Sequence, residues 1–199
     1  VFIFYNTMLK KMFEHEQDAL IRFFSNVSLN NLQSLNVEFQ AIEWGSSDYI
    51  FSGVHQGKKI IVHYEFQSDN DSTIDSRMLR YATELYAKYK LPVYQQVIYT
   101  GAKIVNMPSA IRFNVLANSK LDYCFELHDL GSTPVETLVN VGPILYPFLP
   151  LAARDQRKKD PTAFLRSCVQ QISDSHLSIP EKRDLIFKQE LFAGKAFAK

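Results

Sequence analysis

Asp48-Tyr49-Ile50-Phe51-Ser52-Gly53-Val54-His55-Gln56-Gly57-Lys58-Lys59-Ile60-Ile61-Val62-His63-Tyr64-Glu65-Phe66-Gln67 is the stretch on which the reading of this chain turns. Two apolar-rich runs flank His55-Gln56-Gly57-Lys58, whose glycine can take the positive φ of a tight hairpin. Whether Gln56-Gly57 alone or all four residues form the loop, one register follows: Val54 meets Lys59, Ser52 meets Ile61, Ile50 meets His63 and Asp48 meets Glu65. Side chains alternate between the faces of a strand. One face therefore collects Tyr49, Phe51, Ile60, Val62, Tyr64 and Phe66, which suit a core. The other carries Asp48, His63, Glu65 and Gln67, and a slip of one residue would exchange the two faces.

Directly opposed residues of an antiparallel pair have Cβ atoms about 4.5–5.5 Å apart, a spacing at which two carboxylates repel. A divalent cation between them reverses the sign of that interaction. Hard ions such as Mg²⁺ take one or two carboxylates and keep several waters, leaving room for a phosphate. The competing reading is an ordinary polar face beside Lys58 and Lys59.

Working outward, Ser72-Thr73-Ile74-Asp75 reads as a helix start, and Ile74, Met78, Tyr81, Leu85 and Tyr89 form an apolar stripe that ends before Pro92. Val93 to Thr100 follows as a strand. Strand, helix and strand imply a right-handed crossover between parallel strands, so the sheet is expected to be mixed. Upstream, Lys10 to Phe24 reads as an amphipathic helix carrying Glu14, Glu16 and Asp18, and Val37 to Ile42 as a strand. Downstream, Ile111–Leu116 and Leu121–Leu127 are expected as strands at the far edge of the sheet. Helices are expected over Thr133–Val141 and Pro161–Ser173, and Pro180–Phe197 reads as a final amphipathic segment. The fold class is thus α/β, a mixed central sheet flanked by helices with an αβββαβ core. It forms a single domain over residues 1–199, with a mainly helical C-terminal extension from about residue 150.

Composition agrees with one globular unit: 199 residues, 46% hydrophobic and 13% aromatic. No stretch approaches the ~18 consecutive apolar residues of a membrane span, and Val1-Phe2-Ile3-Phe4 lacks a basic leader. The missing initiator methionine suggests a processed or partial start. Two cysteines, Cys124 and Cys168, fit neither a disulfide framework nor a thiolate zinc site, which points to a reducing, cytoplasmic setting. With 22 basic against 21 acidic residues the net charge is +1, a weak footprint for nucleic acid. Lys10-Lys11, Lys58-Lys59 and Arg154 with Arg157-Lys158-Lys159 are the local basic clusters, read as phosphate contacts only if the fold converges them.

An Asp and a Glu 17 residues apart around a hairpin turn, then Glu65-Phe66-Gln67-Ser68 followed by Arg77-Met78-Leu79-Arg80-Tyr81 and Leu85 to Val93, resemble the PD-(D/E)xK nuclease superfamily. Within it the likeness is closest to the recombination-promoting nuclease and transposase-like family. The similarity spans roughly residues 10–155, and its specific part is Asp48 to Val93. It implies a restriction-endonuclease-like fold and a metal-dependent DNA endonuclease using Mg²⁺ or Mn²⁺. Asp48, Glu65 and the Phe66 carbonyl would be metal ligands, and Gln67 would stand where many members carry lysine. Glutamine donates and accepts hydrogen bonds but is a poor proton acceptor, which leaves the general base open. An acid on the first helix, Glu14, Glu16 or Asp18, would lie near the metal.

Arg77, early in its helix, is within reach of a phosphate at Glu65, and Tyr81 shares its face, so both are candidate substrate-binding residues. The alternative for Arg77 is a clamp on Asp69, Asp71 or Asp75. A cation so near a helix N-terminus is disfavoured by the macrodipole, which hints at a specific partner. His63 is read as a neighbour that tunes the site. DNA is the expected partner, self-association is left open, and a non-catalytic nuclease-fold module binding DNA or protein is the alternative. Glycoside hydrolysis fits less well, because the aromatic rings face away from the acids.

Overall fold

The hairpin forms in the expected register: Val54 pairs with Lys59, Ser52 with Ile61 and Ile50 with His63. Gln56 (φ 48°) and Gly57 (φ 77°) are both left-handed and His55 pairs with Lys58, so the loop is the two-residue type whose twist matches its strands. The computed structural model describes residues 8, 9, 11–13, 16–35, 49–116 and 119–197. Asp48, Glu14 and the strand expected over Val37–Ile42 lie outside them.

In chain order the elements are α1 (Gln17–Ser25), β1 (Asn30–Ser34), β2 (Tyr49–His55), β3 (Lys58–Gln67), α2 (Ile74–Tyr89), β4 (Val93–Tyr99), β5 (Ala110–Leu116), β6 (Ser119–Cys124) and β7 (Glu126–Asp129). A 3-10 turn (Leu130–Ser132), α3 (Val135–Val141), a longer 3-10 segment (Pro143–Leu151), α4 (Arg154–Lys159), α5 (Pro161–Ser173) and α6 (Ile179–Ala196) complete it. Five strands form a mixed sheet in the order β1-β2-β3-β4-β7. The first three run antiparallel, while β4 is parallel to β3 and β7 parallel to β4. Helix α2 is the crossover between β3 and β4, as its apolar stripe requires. Strand β1 pairs irregularly with β2: the register jumps between Asn30 and Gln33, and Asn31 has φ 52°.

Two expectations are corrected here. The strands β5 and β6 form a separate two-stranded ribbon, and the short β7 takes the far edge of the main sheet. Phe125 divides them: its ring is buried with Ile74, Met78, Tyr81 and Val97, and this anchor lets Glu126–Asp129 pair with Gln96–Tyr99. The second correction concerns the polar side of the hairpin, which is not a solvated face. Helix α2 covers it, packing Leu85 on Ile50 and Ile61, and His63 is 0% exposed. Crossover helices bury the faces of parallel strands, and that constraint overrides the alternation.

On the opposite face, Tyr49, Phe51, Val62, Tyr64 and Ile98 share one core with Leu20, Ile21 and Phe24 of α1 and with Phe148, Phe164, Cys168 and Phe192. The C-terminal helices thus complete the main core. Arg154 and Arg157, counted above in a local basic cluster, are buried. Arg154 donates to both carboxylate oxygens of Asp129 at 2.9 and 2.5 Å, and Arg157 to the carbonyls of Pro150 and Leu151 at 2.9 and 3.1 Å. Gly131 lies against the Arg154 guanidinium so closely that a Cβ there would collide with it. Among the described residues no helix is long and apolar enough to cross a membrane.

Candidate active site at the end of strand β3

Parallel strands β3 and β4 end side by side, with Gln67 paired to Tyr99, and α2 begins just beyond a polar loop. The carboxyl ends of parallel strands are where α/β sheets place ligand sites. Here Glu65 is 5% exposed, held near the end of β3 by the ladder to Val97. Gln67 lies two residues on, on the same face, and its Nε2 donates to Glu65 Oε1 at 2.7 Å. Arg77 reaches down from the first turns of α2, its Nη2 lying 3.3 Å from Glu65 Oε1 and 3.3 Å from Asp71 Oδ2. These are charge contacts without hydrogen-bond geometry: Arg77 Nε and Nη2 are buried donors with no hydrogen-bond acceptor among the described residues.

Asp71 is the site residue that sequence alone does not separate from Asp69 and Asp75. Its Oδ1 accepts from Thr73 N at 2.8 Å and from Thr73 Oγ1 at 2.7 Å, closing the turn that starts α2. Partial burial raises its carboxyl pKa, but the two Thr73 hydrogen bonds and the Arg77 cation outweigh that and leave it below the usual value. The helix therefore starts at Ile74 behind an Asp turn, without the side-chain cap expected from Ser72 or Thr73.

Backbone directions orient the remaining donor. The Gln67 carbonyl accepts from Thr100 N at 2.8 Å and therefore faces β4. Carbonyls alternate along a strand, so that of Phe66 faces the β2 side, beyond the last described pair, Tyr49 with Tyr64. A carboxylate and a peptide carbonyl are the hard oxygen donors that Mg²⁺ takes, and the residues present fit such an ion in that respect. Among the described residues no group of three His, Cys, Asp or Glu side chains is placed to hold a metal. Asp48, the partner expected for Glu65, is not among them.

Tyr81 is not where a substrate contact would be. Its ring is 2% exposed and packs edge-on against His63 at 5.3 Å between centroids, inside the core beneath α2. The stripe that places Tyr81 four residues after Arg77 is the stripe that buries it. His63 in turn belongs to a network assembled from distant parts of the chain. Gln95 Nε2 donates to His63 Nδ1 at 3.0 Å and to the Met78 carbonyl at 3.1 Å, while Tyr123 Oη donates to Gln95 Oε1 at 2.6 Å. An amide nitrogen only donates, so His63 Nδ1 is the acceptor in this contact. No local signal marks Gln95 or Tyr123, because their meeting depends on how the β5–β6 ribbon docks.

The acids of the first helix lie elsewhere. Asp18 pairs with Arg22 at 2.6 Å on the exposed side of α1, and Glu16 lines a cleft of about 730 Å³ with Leu185 and Lys188. Both sit on the side of the sheet that carries Tyr64, opposite the side that carries Glu65. Comparison of the chain with protein-family models, with curated proteins and with solved structures gave no match.

Proposed function

We propose that the protein is a metal-dependent DNA endonuclease of the PD-(D/E)xK type, with a restriction-endonuclease-like core. The observation that carries this reading is Glu65, a buried carboxylate at the carboxyl end of the central strands, beside an arginine whose buried Nε has no acceptor among the described residues and whose Nη2 makes charge contacts without hydrogen-bond geometry. Buried donors without acceptors call for an explanation, and a phosphate oxygen is the acceptor that an arginine fork fits best. Among the described residues, the order helix, three strands, helix, strand supports the same reading.

Glu65, the Phe66 carbonyl and Asp48 would hold the ion. When bound, a divalent cation lowers the pKa of a coordinated water and offsets charge on the scissile phosphate. Arg77 would orient that phosphate. Gln67, being neutral, has a positioning part: it fixes Glu65 Oε1 and takes no proton. Purified protein is expected to nick plasmid DNA in Mg²⁺ or Mn²⁺, and Glu65→Ala or Asp48→Ala to lower the rate by at least about a hundredfold. Equal nicking by wild type and both variants, with contaminating nuclease excluded, overturns the reading.

One observation favours a second reading, a non-catalytic nuclease-fold module. Gln67 and Arg77 together engage Glu65 Oε1, so part of that carboxylate's charge is compensated within the chain. Calorimetry that finds no divalent-ion binding at millimolar concentration, with DNA binding retained, selects the module over the enzyme.

A further inference from the structure

Charge is segregated in this nearly neutral chain. At the Glu65 end of α2 stand Asp69, Asp71 and Asp75. Helix α2 has 16 residues, so its other end lies about 24 Å away. There three segments meet. The β2–β3 turn supplies Lys58 and Lys59, and the end of α2 supplies Lys88 and Lys90, all four exposed. The segment preceding β1 is joined to them by His55 Nδ1, 3.2 Å from the Ser28 carbonyl. Residues 25–35, 49–64 and 85–96 contain no Asp or Glu. The two lysine pairs lie at the same end of the sheet, because Ile61 N donates to the Pro92 carbonyl at 2.8 Å and so ties the start of β3 to the loop after Lys90. Among the described residues none of the four ammonium groups has a carboxylate partner; the nearest acid on α2, Glu84, is 3.9 Å from Arg80.

The macrodipole of α2 accounts for Lys88 and Lys90 at its C-terminus, but not for Lys58 and Lys59, which belong to a strand. Nor does it account for Tyr86, 56% exposed on the same turn of helix. Lys90 Nζ stands 5.6 Å from the centre of the Tyr86 ring, and Lys88 Nζ stands 5.3 Å from that of Tyr89. Lysines interleaved with an exposed aromatic ring are the two parts of a single-strand site: cations for phosphates and a platform for an unstacked base.

We infer that this end of the molecule, formed by Lys58, Lys59, Lys88, Lys90 and Tyr86, binds single-stranded nucleic acid, apart from the Glu65 site. The surface goes beyond the hydrolysis reading and stands without it. A nucleic-acid strand is favoured over an acidic protein or an anionic membrane because it alone alternates phosphates for the lysines with flat bases for the ring face.

The test is fluorescence anisotropy with a labelled 15-nucleotide oligo(dT) on the full chain, over a salt series. Wild type should bind. Changing the four lysines to glutamine should weaken binding at least tenfold and flatten the dependence of log K on log salt by about 0.7 for each phosphate that is no longer neutralised. Tyr86→Ala should weaken binding about tenfold with an unchanged salt slope. Binding is read in EDTA, and Lys158→Gln with Lys159→Gln, an exposed pair on α4, should bind as wild type; binding retained in EDTA while plasmid nicking in Mg²⁺ is absent separates failure of the nuclease reading from failure here. If the fourfold variant unfolds by circular dichroism, Lys58→Gln with Lys59→Gln, and Lys88→Gln with Lys90→Gln, serve as separate pairs. Absence of binding, wild-type affinity in the lysine variants, or a neutral Tyr86→Ala together with equal affinity for poly-glutamate or phosphatidylserine vesicles overturns the proposal.

Discussion

Two thiols in one chain show how far environment departs from residue type. Cys124 is exposed, whereas Cys168 sits in the main core beside Ser167, and burial pushes its thiol up to about 12 from 9.0. One thiol per chain should therefore react with a thiol reagent at neutral pH and the second only in denaturant. A raised folded pKa means that the Cys168 contribution to stability is complete below pH 9 and is lost as pH climbs toward 12. Cys168→Ala should flatten the fall in stability over that alkaline window, read from denaturant midpoints at stepped pH. At this scale the sequence is informative where a register constrains it: the turn at Gln56-Gly57 places Glu65 and Gln67 on one face. It is silent on depth. The burial of His63 and Tyr81 comes from a helix packing across that face, and alternation along a strand carries no information about what will cover it.

Among the elements, α2 contributes most to the geometry of the site, and its extent is legible from the stripe Ile74, Met78, Tyr81 and Leu85, all of them buried. Its start is not. The pattern Ser72 to Asp75 resembles a cap, yet Asp71 holds the turn because its carboxylate reaches both Thr73 N and Thr73 Oγ1. Asp71→Ala should cost about 1 kcal/mol in thermal or chemical unfolding. The pH dependence has a definite sign. A folded pKa below 3.8 means that the stabilisation is present above that value and lost as pH falls through the folded pKa. The difference between wild type and Asp71→Ala should accordingly close on acidification toward pH 2. The placement of the ribbon β5–β6 is hidden from the sequence for a different reason: two alternating runs joined by a short turn specify a hairpin, but not which sheet it joins. Phe125 decides that by burying its ring under α2.

At the scale of the whole molecule, a buried ion pair ties the C-terminal helices to the sheet. Arg154 opens α4, Asp129 ends β7, and their side chains are 6% and 11% exposed. Removing one partner leaves an uncompensated buried charge, so Arg154→Ala should cost about 3–5 kcal/mol, whereas the pair Arg154→Met with Asp129→Asn should cost distinctly less. Urea midpoints of the single and double variants measure the difference. Sequence alone makes Arg154 look like part of a surface cluster, since a run with Arg157, Lys158 and Lys159 carries the signature of a solvated face. The bent, amide-rich strand Asn30–Ser34 has a last effect, on the company the molecule keeps. Among the described residues, a register jump marks one margin of the main sheet and only four residues of β7 form the other, so neither margin of that sheet offers an incoming chain a long, straight row of peptide groups. Copies meeting in a crowded solution are thereby hindered from lengthening the main sheet strand by strand.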